Sequence, residues 1–189
     1  MLLVISGPSG VGKGTIIKEL KNGFKKRYKR DLHVSVSVTT RPPRAGEENS
    51  VHYYFVSPEE FREMVDKGKL LEYACYADHM YGTPGDEINK CMENGEVIIL
   101  DIDIQGALQI RKVRPDAISV FVLPPSIEEL ERRLRSRGTE TEDKLARRLE
   151  IGKDECLRAC EFDYIVYNDK LDNAVSDIFD IMDKKLAGK

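Results

Sequence analysis

The stretch Leu2-Leu3-Val4-Ile5-Ser6-Gly7-Pro8-Ser9-Gly10-Val11-Gly12-Lys13-Gly14-Thr15 decides the fold. Its apolar opening reads as a buried strand, the glycines before Lys13 as a tight loop, and the residues that follow, to about Phe24, as a helix. A strand that turns through glycines into a helix is the context a phosphate-binding loop needs. Glycine lets the backbone curl its N–H groups inward, and the helix N-terminus adds partial positive charge. Lys13 brings a mobile cation to the β and γ phosphates. Gly7, Pro8, Ser9, Gly10, Val11, Gly12, Lys13, Gly14 and Thr15 are therefore candidate ATP ligands. The usual signature puts a hydroxyl directly after the lysine, whereas Gly14 holds that place here and Thr15 is the nearest hydroxyl. An Mg2+ ion accompanying the nucleotide is then expected to be held largely by water and phosphate oxygens, which suits its reluctance to dehydrate.

Outward from the loop, apolar runs and amphipathic segments alternate, the pattern of an α/β protein with a central parallel sheet flanked by helices. Glu96 to Ile102, Ala117 to Leu123 and Tyr164 to Tyr167 read as further buried strands. Helices are expected after Pro58, after Pro84, after Gln105 and after Pro125, proline suiting a first helical turn. Leu145, Leu149, Gly152, Cys156 and Ala159 keep one face of a later helix, and Leu171, Val175, Ile178, Met182 and Leu186 one face of the last. Between residues 32 and 83 the period changes. Val34, Val36 and Val38 alternate with polar residues, and Tyr53, Phe55, Leu71, Tyr73 and Tyr81 suggest short strands partly open on one face, an antiparallel insertion in the α/β core.

A length of 189 residues with 41% hydrophobic side chains suits one domain with small insertions and one sizeable core. Charged residues make up 33% of the chain while the net charge is only -3, which argues against a protein that coats nucleic acid. The dense basic run from Lys18 to Arg30 reads as a solvated helix face. No apolar segment approaches the roughly 20 residues that cross a bilayer, and Leu2 to Ile5 reads as a strand rather than a signal peptide. A cytoplasmic location with no membrane partner is the expectation. Cys75, Cys91, Cys156 and Cys160 form no CxxC pair and read as buried free thiols in preference to zinc ligands. His33, His52 and His79 show no metal-ligand spacing and are taken as structural.

Ser37-Val38-Thr39-Thr40-Arg41-Pro42-Pro43-Arg44-Ala45-Gly46-Glu47, followed by Tyr53, separates this chain from a generic phosphate-loop protein. Arg41 and Arg44 flank a stiff proline pair, and guanidinium forks match the oxygens of a monophosphate bidentately. Tyr53 and Tyr81 offer hydroxyl donors to the same phosphate. In isolation the segment is equally a solvated basic loop; its company in a phosphate-loop chain favours the acceptor reading. Guanine presents N1–H and an exocyclic amine side by side, so one carboxylate can accept both while a hydroxyl donates to O6. Glu72 and Thr83 suit that task, which adenine does not satisfy, although from the residues alone Glu72 is as well an exposed strand carboxylate.

Thr39 to Glu47, Tyr81-Gly82-Thr83, Ile99-Leu100-Asp101-Ile102-Asp103-Ile104-Gln105-Gly106 and Arg137-Gly138-Thr139-Glu140-Thr141, taken together, give a chain that resembles guanylate kinase over nearly its whole length. The resemblance implies a P-loop NTPase core with a GMP-binding α+β insertion and a mobile lid. The expected division is a core of residues 1–31, 84–125 and 160–189, an insertion over 32–83 and a lid region over 126–159. It further implies that Ser37, Glu72, Thr83 and Asp103 face guanine and that Arg41, Arg44, Tyr53 and Tyr81, with Glu47 beside them, hold the GMP phosphate. Arg137 and Arg148 close on the ATP phosphates, and the Asn168-Asp169 turn lies near adenine. Thr83 stands where some relatives carry serine and keeps the hydroxyl.

The expected reaction passes the γ-phosphoryl group of MgATP to GMP, with dGMP as a second acceptor, in a protein that acts as a monomer or homo-oligomer. Such a transfer needs in-line positioning and charge neutralisation more than a strong base, so the catalytic assignment falls on Lys13, Arg41, Arg137 and Arg148. Asp101 and Asp103 follow a buried strand, where carboxylates meet ligands. Asp101 is assigned to the magnesium shell through water, and Asp103 to the guanine side or to a plain helix cap. Two rivals remain: a kinase with another small-phosphate acceptor, against which Glu72 and Thr83 argue, and a non-catalytic interaction module of the same fold, which needs neither Lys13 nor lid arginines.

Overall fold

Strand β1 (Leu2–Ser6) is buried along its length, and α1 (Lys13–Tyr28) begins at the end of the glycine loop, with Gly12 at its N-cap. The computed structural model describes residues 1–76, 78–136 and 141–187, the side chain of Tyr76 excepted. The elements continue as β2 (Leu32–Val34), β3 (Val38–Thr39), β4 (Tyr54–Phe55), α2 (Pro58–Asp66), β5 (Leu70–Tyr76), β6 (His79–Pro84), α3 (Gly85–Glu93), β7 (Val97–Asp101) and α4 (Ile104–Val113). Then follow β8 (Ile118–Leu123), α5 (Ile127–Arg135), α6 (Glu142–Leu157), a 3₁₀ turn, β9 (Tyr164–Tyr167) and α7 (Leu171–Ala187). Five strands form one sheet in the order β2-β7-β1-β8-β9, with β2 parallel to β7 and β8 parallel to β9, and four form a second in the order β4-β3-β6-β5.

The helix starts follow from local chemistry. Ser57 accepts from the Glu60 amide while the Glu60 carboxylate takes the Ser57 amide, a capping box ahead of Pro58. Ser126 and Asp103 cap α5 and α4 in the same sense. The helix expected after Gln105 therefore starts earlier, at Ile104, because Asp103 supplies the cap.

The chain divides into two units, each with its own core. The first comprises Met1–Val4 and Leu32–Ile118. Ile98, Ile99 and Leu100 of β7 are fully buried, as are Ala107 and Ile110 of α4, and Phe61 and Ile88 are buried from α2 and α3. The smaller sheet lies wholly in this unit. Its β3–β6 and β6–β5 pairs are antiparallel, but β3 and β4 run parallel, a departure from the all-antiparallel insertion expected. Leu32–Val34 also differs from expectation: it pairs with Val97–Ile99 in the large sheet, so the change of hydrophobic period at residue 32 does not mark the end of the large sheet.

The second unit comprises Ile5–Asp31 and Ser119–Lys189. Here α1 runs beyond Phe24 to Tyr28 and carries most of the basic run, with Lys18, Lys21, Lys25 and Lys26 exposed. Its Tyr28 hydroxyl donates to Asp183 of α7 at 2.5 Å, and the Arg27 guanidinium pairs with the same carboxylate and stacks on Phe179. Leu130 and Leu134 of α5 bury against Leu145 of α6. The thiols do not all bury as expected, since Cys75 and Cys160 are exposed and Cys91 alone is buried.

The entry to β9 is fixed by one carboxylate. The buried Ser119 offers both its amide and its hydroxyl to Asp163 Oδ2, at 2.8 and 2.7 Å, and its Oγ accepts the Asp163 amide at 3.0 Å. Asp163→Ala leaves two buried donors unpaired and is expected to cost about 1–2 kcal/mol. Urea unfolding followed by circular dichroism should show that loss as a lower midpoint with an unchanged slope.

Candidate active site

The donor-side candidates belong to the second unit. Gly7 and Gly12 adopt φ of +146° and +104°, which L side chains rarely adopt. A Cβ at Gly7 would strike the Val122 carbonyl, and one at Gly12 would lie 2.5 Å from Asn168 Nδ2. The loop is thus closed on the chain behind it. Lys13 Nζ donates to the Gly7 carbonyl at 2.6 Å, spanning the curl. Asn168 Nδ2 donates to the Val11 carbonyl at 2.7 Å, and Arg133 donates to the same carbonyl at 3.1 Å and to the Asn168 carbonyl at 3.0 Å. Because C=O and N–H of a trans peptide point in opposite directions, pinning the Val11 carbonyl aims the Gly12 N–H the other way.

Asn168 is buried, and its side-chain amide supports the loop through the Val11 carbonyl; the neighbouring Asp169 is exposed. Arg133 was not singled out from the sequence. Its signal lies in Glu129, four residues earlier, whose carboxylate accepts from Arg133 Nε at 2.7 Å and whose pKa falls to about 2 through the bonds from Arg132 and Arg133. Ser9 and Gly10 are half-buried, Pro8 and Val11 buried, and Gly14 and Thr15 exposed at the start of α1. Arg148 is half-buried on α6, whereas Arg137 lies outside the described residues.

The acceptor-side candidates belong to the first unit and form two groups. In one, Arg41 is 8% exposed and donates to the Pro42 carbonyl at 2.7 Å and to Glu47 Oε1 at 2.9 Å. Its guanidinium lies 5.4 Å from the Tyr53 ring centre and 5.8 Å from that of Phe55, and its amide donates to Thr39 Oγ1. Glu47 Oε2 accepts the Arg44 amide at 2.7 Å. Burial acts to raise the Glu47 pKa, but the Arg44 amide and the Arg41 guanidinium outweigh it and hold the carboxyl below its usual range. Glu47 thus braces Arg41. The Arg44 side chain is exposed, and Tyr53 and Tyr81 meet edge to face at 6.1 Å. Burial, with the charge of Asp101, pushes the Tyr53 phenol up to about 12, so it stays a proton donor.

The second group removes one of the two readings of Glu72, that of an exposed strand carboxylate. Glu72 and Thr83 stand opposite each other in the β5–β6 ladder, and the Thr83 hydroxyl donates to Glu72 Oε1 at 2.5 Å. Glu72 is 4% exposed, so it is no surface carboxylate. Its other oxygen lies where a side chain on residue 106 would stand, and Gly106 at the start of α4 makes that room. Asp103, expected at the guanine side or as a cap, does act as the cap: its Oδ1 accepts the Gly106 amide at 2.8 Å. Desolvation raises the Glu72 pKa to about 7; the Thr83 bond lowers it, and the Asp103 charge raises it. Ser37 is buried at the edge of the same sheet and accepts the Tyr54 amide through its carbonyl at 2.9 Å. Asp101 is half-buried at the end of β7.

Residues 1–185 match the family model described as guanylate kinase. The chain is 44% identical over 181 residues to a guanylate kinase of Prochlorococcus marinus subsp. pastoris, covering 96% of each chain. It is 45% identical over 178 residues to a guanylate kinase of Clostridioides difficile, covering 94% of this chain and 84% of the relative. Among solved structures it is similar to the guanylate kinase of Anaplasma phagocytophilum, with a TM-score of 0.79 and 29% identity over 98% of this chain and 85% of that one.

Glu72 also makes a stability prediction. Its folded pKa lies above the ordinary carboxyl value of 4.5, so its contribution is fully present below that value and is lost as the pH rises through about 7. Glu72→Gln removes the charged form; the variant is expected to match the parent near pH 4.5 and to exceed it at pH 8 by on the order of 2–3 kcal/mol. Urea titrations of the nucleotide-free protein at the two pH values check this.

Proposed function

Because the chain belongs to the guanylate kinase family, we propose that its reaction, transfer of the γ-phosphoryl group of ATP to GMP to give ADP and GDP, is carried by one residue set in each unit. The observation that carries the reading is the buried pair Glu72 and Thr83, facing across the β5–β6 ladder. An ionised Glu72 accepts N1–H and the exocyclic amine of guanine together, and Thr83 donates to O6. Adenine leaves both groups unpaired in a buried place, which is a strong source of discrimination. Ser37 and Asp103 are assigned to the guanine side as well.

The GMP phosphate is assigned to Arg41, Arg44, Tyr53 and Tyr81. Pro42 and Glu47 engage only part of the five-donor Arg41 fork, so the guanidinium is positioned while retaining donors for phosphate. Glu47 acts through Arg41 and is a positioning residue. A Tyr53 phenol that stays protonated supplies a neutral donor to the same oxygens. dGMP, which carries the same base and phosphate, is proposed as a second acceptor.

On the donor side the loop amides bind the phosphates of ATP, and Lys13 moves from the Gly7 carbonyl to the β and γ phosphates. Arg148 and Arg137 are assigned to the charge of the group in flight. The acceptor oxygen belongs to a phosphate already ionised near neutral pH, so no side chain need act as a base; in-line positioning and neutralisation carry the rate. The half-buried Asp101 offers hard oxygen donors that fit a water-clad Mg2+ and would hold the ion through water. Bound with ATP, Mg2+ neutralises charge on the β and γ oxygens. No helix among the described residues is long and apolar enough to cross a membrane. The cytoplasm, where both nucleotides occur, is the proposed compartment.

The test is ADP release with GMP, AMP, UMP and CMP as separate acceptors, for the parent and for Glu72→Gln. GMP turnover well above the others is expected, with kcat/KM for GMP falling about 10- to 100-fold in the variant while the KM for ATP stays within about threefold. Selectivity unchanged in Glu72→Gln would remove the base-reading role. No turnover with any acceptor would leave a binding module.

Binding should also be proton-linked. The binding form of Glu72 is the carboxylate, so affinity for GMP is expected to rise as the pH climbs from 6 to 8 through the Glu72 value of about 7. Calorimetric titration in buffers of different ionisation enthalpy should show proton release on binding, reduced in Glu72→Gln by the share owed to this group.

A further inference from the structure

Outside both residue sets, three side chains from separate places in the first unit converge. His33 belongs to β2, Cys91 to α3, and Glu96 to the turn that enters β7. His33 Nε2 lies 3.3 Å from Glu96 Oε2, and one ligand atom of each residue lies within 4.8 Å of the others. Their backbones are tied down: His33 stands in register with Ile98, the Glu96 amide donates to the Cys91 carbonyl at 2.9 Å, and the Glu96 carbonyl accepts the chain's terminal amine at 2.6 Å.

We propose that His33, Cys91 and Glu96 form a three-ligand site for zinc(II), with water in the fourth position. Imidazole, thiolate and carboxylate are the three ligand types zinc takes in tetrahedral sites. Ordinary zinc bond lengths put neighbouring ligand atoms about 3.4–3.6 Å apart, so the imidazole and carboxylate already stand at the required spacing and the widest pair need draw in by roughly 1 Å. Cys91 is 7% exposed, while His33 and Glu96 are half-buried with side chains open to solvent. A sulfur and a nitrogen among three ligands disfavour Mg2+, which takes oxygen donors, so this site differs in kind from any that serves MgATP. Burial, with the neighbouring Glu96, holds the Cys91 thiol up near 11, so the metal-free residue carries its proton. Coordination replaces that S–H bond by a sulfur–metal bond and releases the proton to water. The bound ion would cross-link β2 to the α3–β7 turn. The competing description is a His33–Glu96 ion pair beside an inert thiol, in which Cys91 takes no part.

The two are separated by titrating the chelator-stripped full chain with Co2+ as a spectroscopic substitute and then with Zn2+. The proposal expects one equivalent of Co2+ to give a thiolate-to-cobalt charge-transfer band and tetrahedral visible absorption, both displaced by Zn2+. It expects Cys91→Ser to lose the band, and His33→Gln to bind at least about tenfold more weakly. His33→Gln should keep the parent's GMP turnover, which checks that it folds, since His33 has no part in the nucleotide sites. A Cys75→Ser/Cys160→Ser double variant should titrate as the parent does. Absence of the band, its survival in Cys91→Ser, or an unchanged titration in His33→Gln would each overturn the proposal.

Discussion

A backbone that curls tightly enough to turn its N–H groups toward a phosphate must place its carbonyls elsewhere. Here the Val11 carbonyl is taken by Asn168 from the end of β9 and by Arg133 from α5, and the Gly7 carbonyl by Lys13. Arg133 also holds the Asn168 carbonyl, so one guanidinium joins the loop to the turn that supports it. A buried carbonyl without a partner costs on the order of 1–3 kcal/mol, which makes this arrangement a condition of the loop's shape. The glycines follow from it: Asn168 can sit under residue 12 and the Val122 carbonyl against residue 7 only where there is no Cβ. The same clamp leaves Lys13 resting on a neutral carbonyl partner.

In the first unit the controlling quantity is the cost of buried charge. Arg41 is retained by a carboxylate, two aromatic faces and a carbonyl, a set that keeps the guanidinium charged and in place. Among the described residues, Glu72 has no cationic partner of that kind. Its one hydroxyl donor lies within a desolvated setting near Asp103, and the carboxyl titrates near neutrality. On the proposed reading, a group that is costly to ionise when the site is empty and that accepts two donors from a bound base converts part of that cost into selectivity. Stability and recognition are therefore opposed at this residue, as is common at sites shaped for ligands.

Glu72 illustrates how the sequence misleads locally. In Leu70-Leu71-Glu72-Tyr73-Ala74-Cys75, hydrophobicity would put Leu71 and Tyr73 inward; the strand instead gives its buried face to Glu72 and Ala74, and Tyr73 is 48% exposed. Leu32–Val34 was read with the strands that follow it because an edge strand three residues long carries too few positions to reveal which sheet it joins. Arg133 was lost among the arginines of α5, since helical spacing shows its pair with Glu129 but not what lies beyond the helix. His33, Cys91 and Glu96 have no motif because their spacing is set by strand pairing and a turn.

Features whose cause is local are legible in the residues alone. The strand–glycine–helix stretch fixed the phosphate loop, Ser57-Pro58-Glu59-Glu60 fixed the start of a helix, and the alternation of apolar runs with amphipathic segments fixed the α/β class. Each depends on φ, capping or periodicity within a few residues. The tertiary structure alone decided which charges are buried and what meets them: that Glu72 faces Thr83 and Gly106, that Glu47 braces Arg41, and that Asn168 and Arg133 share one carbonyl. Desolvation and hydrogen bonding across long sequence separations depend on packing in three dimensions, and no local pattern carries that information.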